Sequence, residues 1–232
     1  MWHNETYSNS ETSVFLQLIT VQSPSWESIQ AHLARYSRQT ETSEWVHVGD
    51  DIPVVLGASG LGWGRGVKPV EPSASDPIKK EGDGRSPAGA FEFGTAFGQT
   101  SLPSVPLALP YVFLSPSIEC VDDEDSPHYN EIVNRNAVKT VDWKSSEKMA
   151  SVDLYHIGAV IEHNANPPVH GAGSCIFMHI WRASNSGTSG CTAMAEQNLK
   201  QVLHWLDPKQ KPELVQLTSA EYAHLKNQWN LP

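Results

Sequence analysis

Short apolar runs separated by turn-forming residues recur along this chain, and they predict a protein built mainly of β-strands. Such runs lie at 14–22, 45–48, 52–56, 90–93, 110–114, 157–163, 174–181 and 213–218. Proline, glycine or asparagine bounds the last four of them, which is typical of strand ends.

Three stretches instead carry the spacing of helices. The apolar residues of 199–206 recur one turn apart, and Asp207-Pro208 ends that pattern. A proline near the start of 24–38, followed by apolar residues at helical spacing, predicts a second helix there. A last short helix is expected over 219–229. Together these patterns predict a domain of the α+β class that is mostly β.

The charge balance excludes two classes of partner. The 232 residues carry a formal net charge of −10, and they include no basic cluster of the kind that non-specific binding to nucleic acid or anionic lipid requires. No apolar run approaches the roughly 20 residues of a membrane-spanning helix. The first run is not preceded by the basic segment of a signal peptide. We therefore expect no nucleic-acid partner and no membrane span.

Two features that could suggest a cofactor or a metal lack the necessary context. The glycine-rich segment 57–66 leads into prolines rather than into a helix, so it does not predict a dinucleotide site. The histidines include no His-x-x-x-His pair, and their spacing from the cysteines matches no closed zinc site. We expect neither a metal nor another cofactor.

Cys191 is the strongest candidate for chemistry. It lies in a segment of small residues, 187–194, twelve positions after His179. A free cysteine has a pKa of about 8.5 and is largely a thiol at neutral pH, so a nucleophilic cysteine needs a base. We expect the small-residue loop to expose the thiol and His179 to accept its proton. An inert core position is the alternative, and it is the favoured interpretation for Cys175 and Cys120.

The residues around this pair suit acyl transfer. Strand alternation places Phe177, His179 and Trp181 on one face of their strand. Gly190 lets the backbone pass close to a substrate carbonyl, and the N–H groups of Gly190 and Cys191 are candidates for an oxyanion hole. A papain-like peptidase is disfavoured, because there the cysteine precedes the histidine.

Cys191 and His179, combined with the upstream segment 82–89, resemble the catalytic domain of L,D-transpeptidases of the YkuD type. The upstream segment, Gly-Asp-Gly-Arg-Ser-Pro-Ala-Gly, is similar to the Gly-Asp-x-x-Thr-Pro-x-Gly motif of that family. Two positions depart from the family pattern. Ser189 stands where a second histidine is usual, and Ala193 stands where an arginine is common.

The resemblance implies a β-sandwich with a few peripheral helices and a division of the chain into three parts. The catalytic domain covers 52–218, a strand-helix extension packed on it covers 1–51, and a C-terminal helix or tail covers 219–232. Residues 121–150 are polar, charged and without a strand pattern. We expect this insertion to act as a lid over the catalytic cleft.

The resemblance also implies a cysteine acyltransferase of the periplasm. Cys191 attacks the carbonyl after the third residue of a peptidoglycan tetrapeptide stem, the terminal D-alanine leaves, and a thioacyl-enzyme remains. His179 deprotonates the thiol and activates the acceptor, while the carbonyl of Ile180 or a neighbour orients the imidazole. In the periplasm Cys120 and Cys175 could pair, which would leave Cys191 free.

The identity of the acceptor stays open. An amine of a second stem gives transpeptidation, a lysine of a cell-wall lipoprotein gives protein anchoring, and water gives an L,D-carboxypeptidase or a hydrolase of peptidoglycan peptides or lipoprotein links. A catalytically impaired wall-binding module is a further alternative, because the second histidine of the family is missing.

These arguments name two groups of site residues. The catalytic group is Cys191, His179, Gly190 and Ser189. The residues expected to contact the stem peptide are Tyr129, Asn130, His163, Trp181, Arg182 and Thr188. A structural role for His163 is equally open, and Arg182 is a candidate to replace the charge of the missing arginine.

Overall fold

The computed structural model describes residues 15–232, and β-strands make up most of its regular structure. The strands are β1 (Gln17–Ser23), β2 (Gln30–Ser37), β3 (Val46–His47), β4 (Ile52–Val55), β5 (Leu61–Trp63), β6 (Ser86–Gly98), β7 (Tyr111–Phe113), β8 (Ile118–Cys120), β9 (Ile132–Asn134), β10 (Glu147–Lys148), β11 (Ile157–Ile161), β12 (Phe177–Ile180), β13 (Thr192–Met194) and β14 (Pro212–Thr218). The helices are α1 (Glu196–Trp205) and α2 (Ser219–Leu225), with 3-10 turns at Met149–Ser151, Asp153–Tyr155 and Pro208–Gln210. The prediction of a mostly β fold with few helices is confirmed.

The main sheet has eleven strands, and their pairing closes on itself. Neighbours follow the order β1-β14-β6-β11-β12-β13-β4-β2-β3, and β2 also pairs with β1. The strands β5 and β7 pair with β6 outside this path. The predicted β-sandwich stays a prediction. The same order of strand pairing fits a round barrel and a ring flattened into two facing layers.

The hydrophobic core joins the main sheet to α1. Leu199, Val202 and Leu203 of α1 are fully buried, in one cluster with Met178 of β12. The apolar positions that predicted this helix are therefore its buried face. The helix is confirmed, and it ends before Pro208 as the sequence pattern indicates.

The helix predicted over 24–38 is wrong, because the structure has strand β2 there. The exposed side chain of His32 lies between the buried side chains of Ala31 and Leu33, which is the alternation of a strand. The backbone of β2 is hydrogen-bonded on both sides, to β1 and to β4. This pairing outweighs the helical spacing of the apolar residues.

The two ends of the chain differ in detail from the prediction. Residues 1–14 of the predicted extension lie outside the described residues, and the described strands β1 and β2 belong to the main sheet. The C-terminal helix α2 ends at Leu225, earlier than predicted. Within residues 15–232, no helix has the length and apolar character needed to cross a membrane.

The insertion has secondary structure of its own, so the expectation that 121–150 lacks strands is wrong. The strands β10, β8 and β9 pair in that order in a separate three-stranded sheet. Val121, Val133 and Trp143 form a small buried apolar cluster beside it. The insertion is therefore a small structured unit with its own core.

A disulfide ties this small sheet to the main sheet. Cys120 ends β8, and its partner Cys175 lies two residues before β12. The bond spans 55 positions of sequence. In the chain-entropy account, a cross-link of that span stabilises the folded state by about 4 kcal/mol. All three cysteines lie in the described residues, and Cys191 is the free one.

Candidate active site

A cleft of about 670 Å³ lies between the main sheet and the insertion, and both Cys191 and His179 line it. Its first side consists of the loop 186–191 and His179, which we call the nucleophile wall. Its second side includes Asp122 and Glu147 of the insertion, which we call the acidic wall. The two candidate catalytic residues thus face a space that the insertion helps to enclose.

The strands β12 and β13 bring the two candidate catalytic side chains to one face. They are parallel and pair His179 with Ala193, so Cys191 lies one position before β13. Alternate residues of a strand share a face, and Cys191 therefore projects to the side of Ala193 and His179. The N–H of Phe177 in β12 donates a hydrogen bond to Cys191 Sγ, at 3.3 Å.

A main-chain contact holds His179 in one tautomer. Its Nδ1 lies 2.7 Å from the carbonyl oxygen of Ile180. A carbonyl only accepts hydrogen bonds, so Nδ1 carries the proton and Nε2 has a free lone pair. The ring also packs edge-on against Tyr155, with centroids 5.1 Å apart. The orienting contact that the resemblance implies is present, and Nε2 is the basic nitrogen of the site.

Burial keeps both candidate catalytic groups uncharged. Burial raises the pKa of the Cys191 thiol to about 12, and the charge of Glu147 adds to the effect. Burial also lowers the pKa of His179 to about 4, although the hydrogen bond to Ile180 acts in the opposite direction and raises the pKa. The expectation of an exposed thiol is wrong, since Cys191 is 7% exposed. The pair is a neutral thiol and a neutral imidazole rather than a thiolate and an imidazolium.

Two hydroxyl groups fix the carbonyl of Cys191. Ser86 Oγ donates to this oxygen at 3.0 Å, and Thr188 Oγ1 donates to it at 2.6 Å. Ser86 in turn accepts the N–H of Gly57 at 2.8 Å. Because Ser86 belongs to the upstream segment 82–89, that segment contacts the nucleophile directly. This contact is a physical reason for the upstream segment 82–89 and the segment 187–194 around Cys191 to occur in the same chain.

The rest of the upstream segment forms a tight turn. Asp83 accepts hydrogen bonds from the N–H groups of Lys80 and Arg85 and from the Lys79 ammonium, the last at 2.6 Å. Arg85 donates to the carbonyl of Leu61 at 2.6 Å. The charge of Lys79 is therefore neutralised within the turn, although this residue borders the cleft.

Gly190 needs the conformational freedom of glycine. Its φ is +153°, and a Cβ at this position would lie 3.0 Å from the carbonyl oxygen of Arg85. Its N–H donates to Thr188 Oγ1 at 3.1 Å. This N–H is thus already engaged, and the N–H of Cys191 is the other predicted donor of the oxyanion hole.

A comparison with protein families gives a match over most of the chain. The YkuD family, described as the L,D-transpeptidase catalytic domain, matches residues 29–215. The chain belongs to this family. The matched region begins before the predicted boundary at 52, so it includes β2 but not β1, the strand that joins β2 to β14 in the ring. No curated protein and no solved structure matches the chain.

YkuD-family enzymes generally act on peptidoglycan peptides, typically outside the cytoplasm. In this YkuD-family chain, Tyr129 and Asn130 lie outside the cleft. Tyr129 is fully buried, and its hydroxyl donates to Glu81. The side chain of Asn130 accepts the N–H of Cys175 and donates to the carbonyl of His163, both at 2.9 Å. These two residues hold the insertion against the main sheet.

His163 and Trp181 also lie outside the cleft. His163 is 1% exposed, and burial lowers its pKa to about 4. Its Nδ1 accepts the N–H of Arg65, and its Nε2 donates to the carbonyl of Ala172. Trp181 is half-buried. The structural interpretation of His163 accounts for both of its ring nitrogens.

The remaining predicted residues do reach the cleft, namely Arg182, Thr188, Ser189 and Gly190. Arg182 and Ser189 are exposed. Within residues 15–232, no group of three His, Cys, Asp or Glu side chains is arranged to hold a metal ion.

Sequence patterns missed several polar residues of the cleft, namely Asp122, Glu147, Tyr155 and Ser174. The hydroxyl of Tyr155 donates to Glu147 at 2.8 Å. Burial raises the pKa of both groups. No motif marks these residues, because they come from separate segments of the chain. The polar composition of the insertion was a signal for Asp122 and Glu147 alone.

Proposed function

We propose that this chain is a cysteine acyltransferase acting on peptidoglycan stem peptides, with Cys191 as the nucleophile and His179 as the base. The observation that carries the proposal is the register of β12 and β13, which directs a thiol and an imidazole with a free Nε2 into one cleft. Membership of the YkuD family supplies the class of substrate.

The neutral pair sets the order of events in acylation. Neither group ionises alone at neutral pH, so Nε2 of His179 takes the thiol proton as Cys191 Sγ attacks the carbonyl carbon. The N–H of Cys191 donates to the oxyanion of the tetrahedral intermediate. The C–N bond then breaks, the leaving amine takes the proton from Nε2, and a thioester remains on Sγ.

An acceptor completes the reaction by opening the thioester. The acceptor attacks the carbonyl carbon, Nε2 of His179 takes its proton, and the departing Sγ recovers that proton. An amine acceptor gives a cross-link or an anchored lipoprotein, and water gives hydrolysis. Hydrolysis is the second candidate function, because the exposed Ser189 puts a small hydroxyl at the mouth of the cleft where the family usually has a histidine.

Mass spectrometry after incubation with peptidoglycan fragments tests the proposal. We expect an acyl adduct on Cys191 in the protein and changed muropeptides in the products. Direct cross-links between the third residues of two stems indicate a transferase, whereas tripeptide stems or released lipoprotein indicate a hydrolase. Cys191→Ala is the matched control. Unchanged muropeptides together with an unmodified Cys191 would refute the proposal.

A further inference from the structure

The pairing of β13 with β4 changes next to the nucleophile. Ala193 pairs with Val55 in antiparallel register, so Cys191 and Gly57 would form the next pair of the same kind. The N–H of Gly57 donates instead to Ser86 Oγ at 2.8 Å, and this hydroxyl donates to the carbonyl of Cys191 at 3.0 Å. A side chain of the upstream segment thus takes the place of a main-chain hydrogen bond.

The inserted hydroxyl leaves the N–H of Cys191 without a partner in the sheet. A continued ladder would direct this N–H to the carbonyl of Gly57, but that carbonyl accepts the N–H of Gly60 at 2.8 Å. The N–H of Cys191 donates to no group among residues 15–232. An oxyanion hole requires such a free donor beside the nucleophile.

A second hydroxyl holds the main chain on both sides of this N–H. Thr188 Oγ1 accepts the N–H of Gly190 at 3.1 Å and donates to the carbonyl of Cys191 at 2.6 Å. The peptide unit between these two contacts is the one that carries the N–H of Cys191. Because the peptide units before and after it are bound, the direction of this N–H is restricted.

The main chain of Thr188 is itself anchored to the segment that follows β4. Its N–H donates to the carbonyl of Leu56 at 2.9 Å, and its carbonyl accepts the N–H of Ala58 at 2.8 Å. Gly57, the residue between these two, is the one that donates to Ser86. The two hydroxyl groups and the segment after β4 therefore form one hydrogen-bonded unit around the Cys191 carbonyl.

Close packing keeps the Ser86 hydroxyl in its place. A Cβ at Gly57 would lie 2.2 Å from the carbonyl oxygen of Gly84, and a Cβ at Gly190 would lie 3.0 Å from that of Arg85. Ser86 is fully buried and does not line the cleft. Its hydroxyl therefore acts on the nucleophile loop and not on a bound substrate.

We propose that Ser86 and Thr188 are positioning residues that keep the N–H of Cys191 free and aimed as the oxyanion donor. This role rests on the proposed acyl transfer and deepens it, because it makes the upstream segment part of the machinery of the tetrahedral intermediate. It also gives the buried Ser86 a function that contact with the substrate cannot supply.

Removal of the Ser86 hydroxyl is expected to close the ladder. Ser86→Ala leaves the N–H of Gly57 and the carbonyl of Cys191 without the group that bridges them. Unpaired buried groups are costly, so these two are expected to pair directly. That pairing turns the N–H of Cys191 towards Gly57 and away from the oxyanion, while the thiol stays in the cleft.

Two small reagents test this role on the full chain. The acetylation of Cys191 by p-nitrophenyl acetate passes through an oxyanion, whereas its alkylation by iodoacetamide does not. We expect Ser86→Ala to slow acetylation by at least about tenfold and to change alkylation by less than about twofold. Mass spectrometry of the Cys191 peptide measures both rates, and Cys191→Ala gives the background.

Two further serine variants control for the loss of a buried hydroxyl. Ser86→Thr keeps the hydroxyl and introduces the residue of the similar family motif, so it should restore most of the acetylation rate. Ser23→Ala removes an equally buried hydroxyl that donates to the carbonyl of Ser25 at 2.6 Å, outside the cleft. It should leave both rates unchanged.

Thermal melting identifies the variants that fold. If Ser86→Ala does not fold, Thr188→Val removes the other hydroxyl from the same carbonyl and should give the same pattern, with Thr188→Ser as its rescue. Equal losses of acetylation and alkylation would overturn the role, and so would no loss of acetylation. A folded Ser86→Thr chain that stays slow, or a Ser23→Ala chain that becomes equally slow, would overturn it as well.

Stem tetrapeptides, tested on the same variants, separate this role from the proposed function. If acetylation depends on Ser86 but no stem peptide acylates Cys191, the positioning role stands and the proposed substrate is wrong. If Ser86→Ala turns over stem peptides as fast as the unaltered chain, the proposed function stands and the role of Ser86 is wrong. An unaltered chain that neither reagent with an acyl group modifies at Cys191 would refute both.

Discussion

The two walls of the cleft are built in opposite ways. On the nucleophile wall, the carbonyl of Cys191 receives two hydroxyl groups, and Nδ1 of His179 is bound to the main chain. On the acidic wall, Asp122 and Glu147 have no ion pair within the described residues, and one buried oxygen of Asp122 has no partner there. A nucleophile has to be held in one position, and its hydrogen bonds do so, whereas the opposite wall keeps unmet hydrogen-bonding capacity.

Removal of the thiol is expected to have the largest effect, because it destroys the function of the nucleophile wall. Cys191→Ala should lower the turnover of stem peptides by at least about a thousandfold. The fold should persist, since the lost sulfur costs about 1 kcal/mol of burial. Muropeptide analysis measures the activity, and thermal melting checks the fold. Turnover retained in a folded Cys191→Ala chain would rule out the assignment of the nucleophile.

Removal of the base tests the other half of the nucleophile wall. His179→Gln should slow thioester formation by about a hundredfold to ten-thousandfold. Alkylation of Cys191 by iodoacetamide at pH 7 should change little, because the thiol is already neutral beside a neutral imidazole. Mass spectrometry follows both reactions. Equal losses in acylation and alkylation would instead indicate a thiolate–imidazolium pair.

Reduction of the disulfide is expected to separate the two walls. Without the Cys120–Cys175 bond, the insertion keeps its own core but loses its covalent link to the segment before β12. The double variant Cys120→Ala/Cys175→Ala should lower the free energy of unfolding by about 4 kcal/mol. Urea unfolding measures this loss. Turnover of stem peptides that stays intact in the folded double variant would show that the geometry of the cleft does not depend on the disulfide.

Acid is expected to act on the two buried histidines and to lower stability gradually rather than to abolish a function. The folded pKa of His179 and of His163 is about 4, below the value of about 6.5 in an unfolded chain. The unfolded state therefore binds more protons between these values. The contribution of these neutral histidines to the free energy of unfolding is fully present above about pH 6.5. It is lost as the pH falls towards 4, by up to about 3 kcal/mol for each histidine. Urea unfolding at pH 7 and pH 4.5 measures this loss of stability. His163→Gln, which lacks one of the two rings, is the comparison. A chain whose stability is unchanged at pH 4.5 would contradict the burial of these rings.

The sequence predicted the nucleophile wall better than the acidic wall for a physical reason. His179 lies in β12 and Cys191 directly precedes the neighbouring strand β13, and a short segment joins the two, so a local motif contains both. Asp122 and Glu147 lie in separate segments of the insertion, and tertiary packing brings them to the cleft. No local pattern indicates such a meeting of distant residues.

Two wrong predictions have the same origin. The spacing of apolar residues in 24–38 suits a helix, but β2 gains partners on both sides from distant strands. The small residues around Cys191 suggest an exposed loop, but the packed rings of Phe177 and Tyr155 lie in the same buried cluster as this cysteine. Both outcomes depend on contacts between segments that are far apart in sequence, and the local pattern contains no record of them.

The closed ring of strands protects the protein against aggregation. A strand at the free edge of a sheet presents unpaired N–H and C=O groups that can recruit another chain. Here β1 bridges β14 and β2, so each of these three strands has a neighbour on both sides. Truncation of the chain past Ser23 would remove that bridge and create two long free edges. Any shortened version intended for crystallisation should therefore keep residues 17–23.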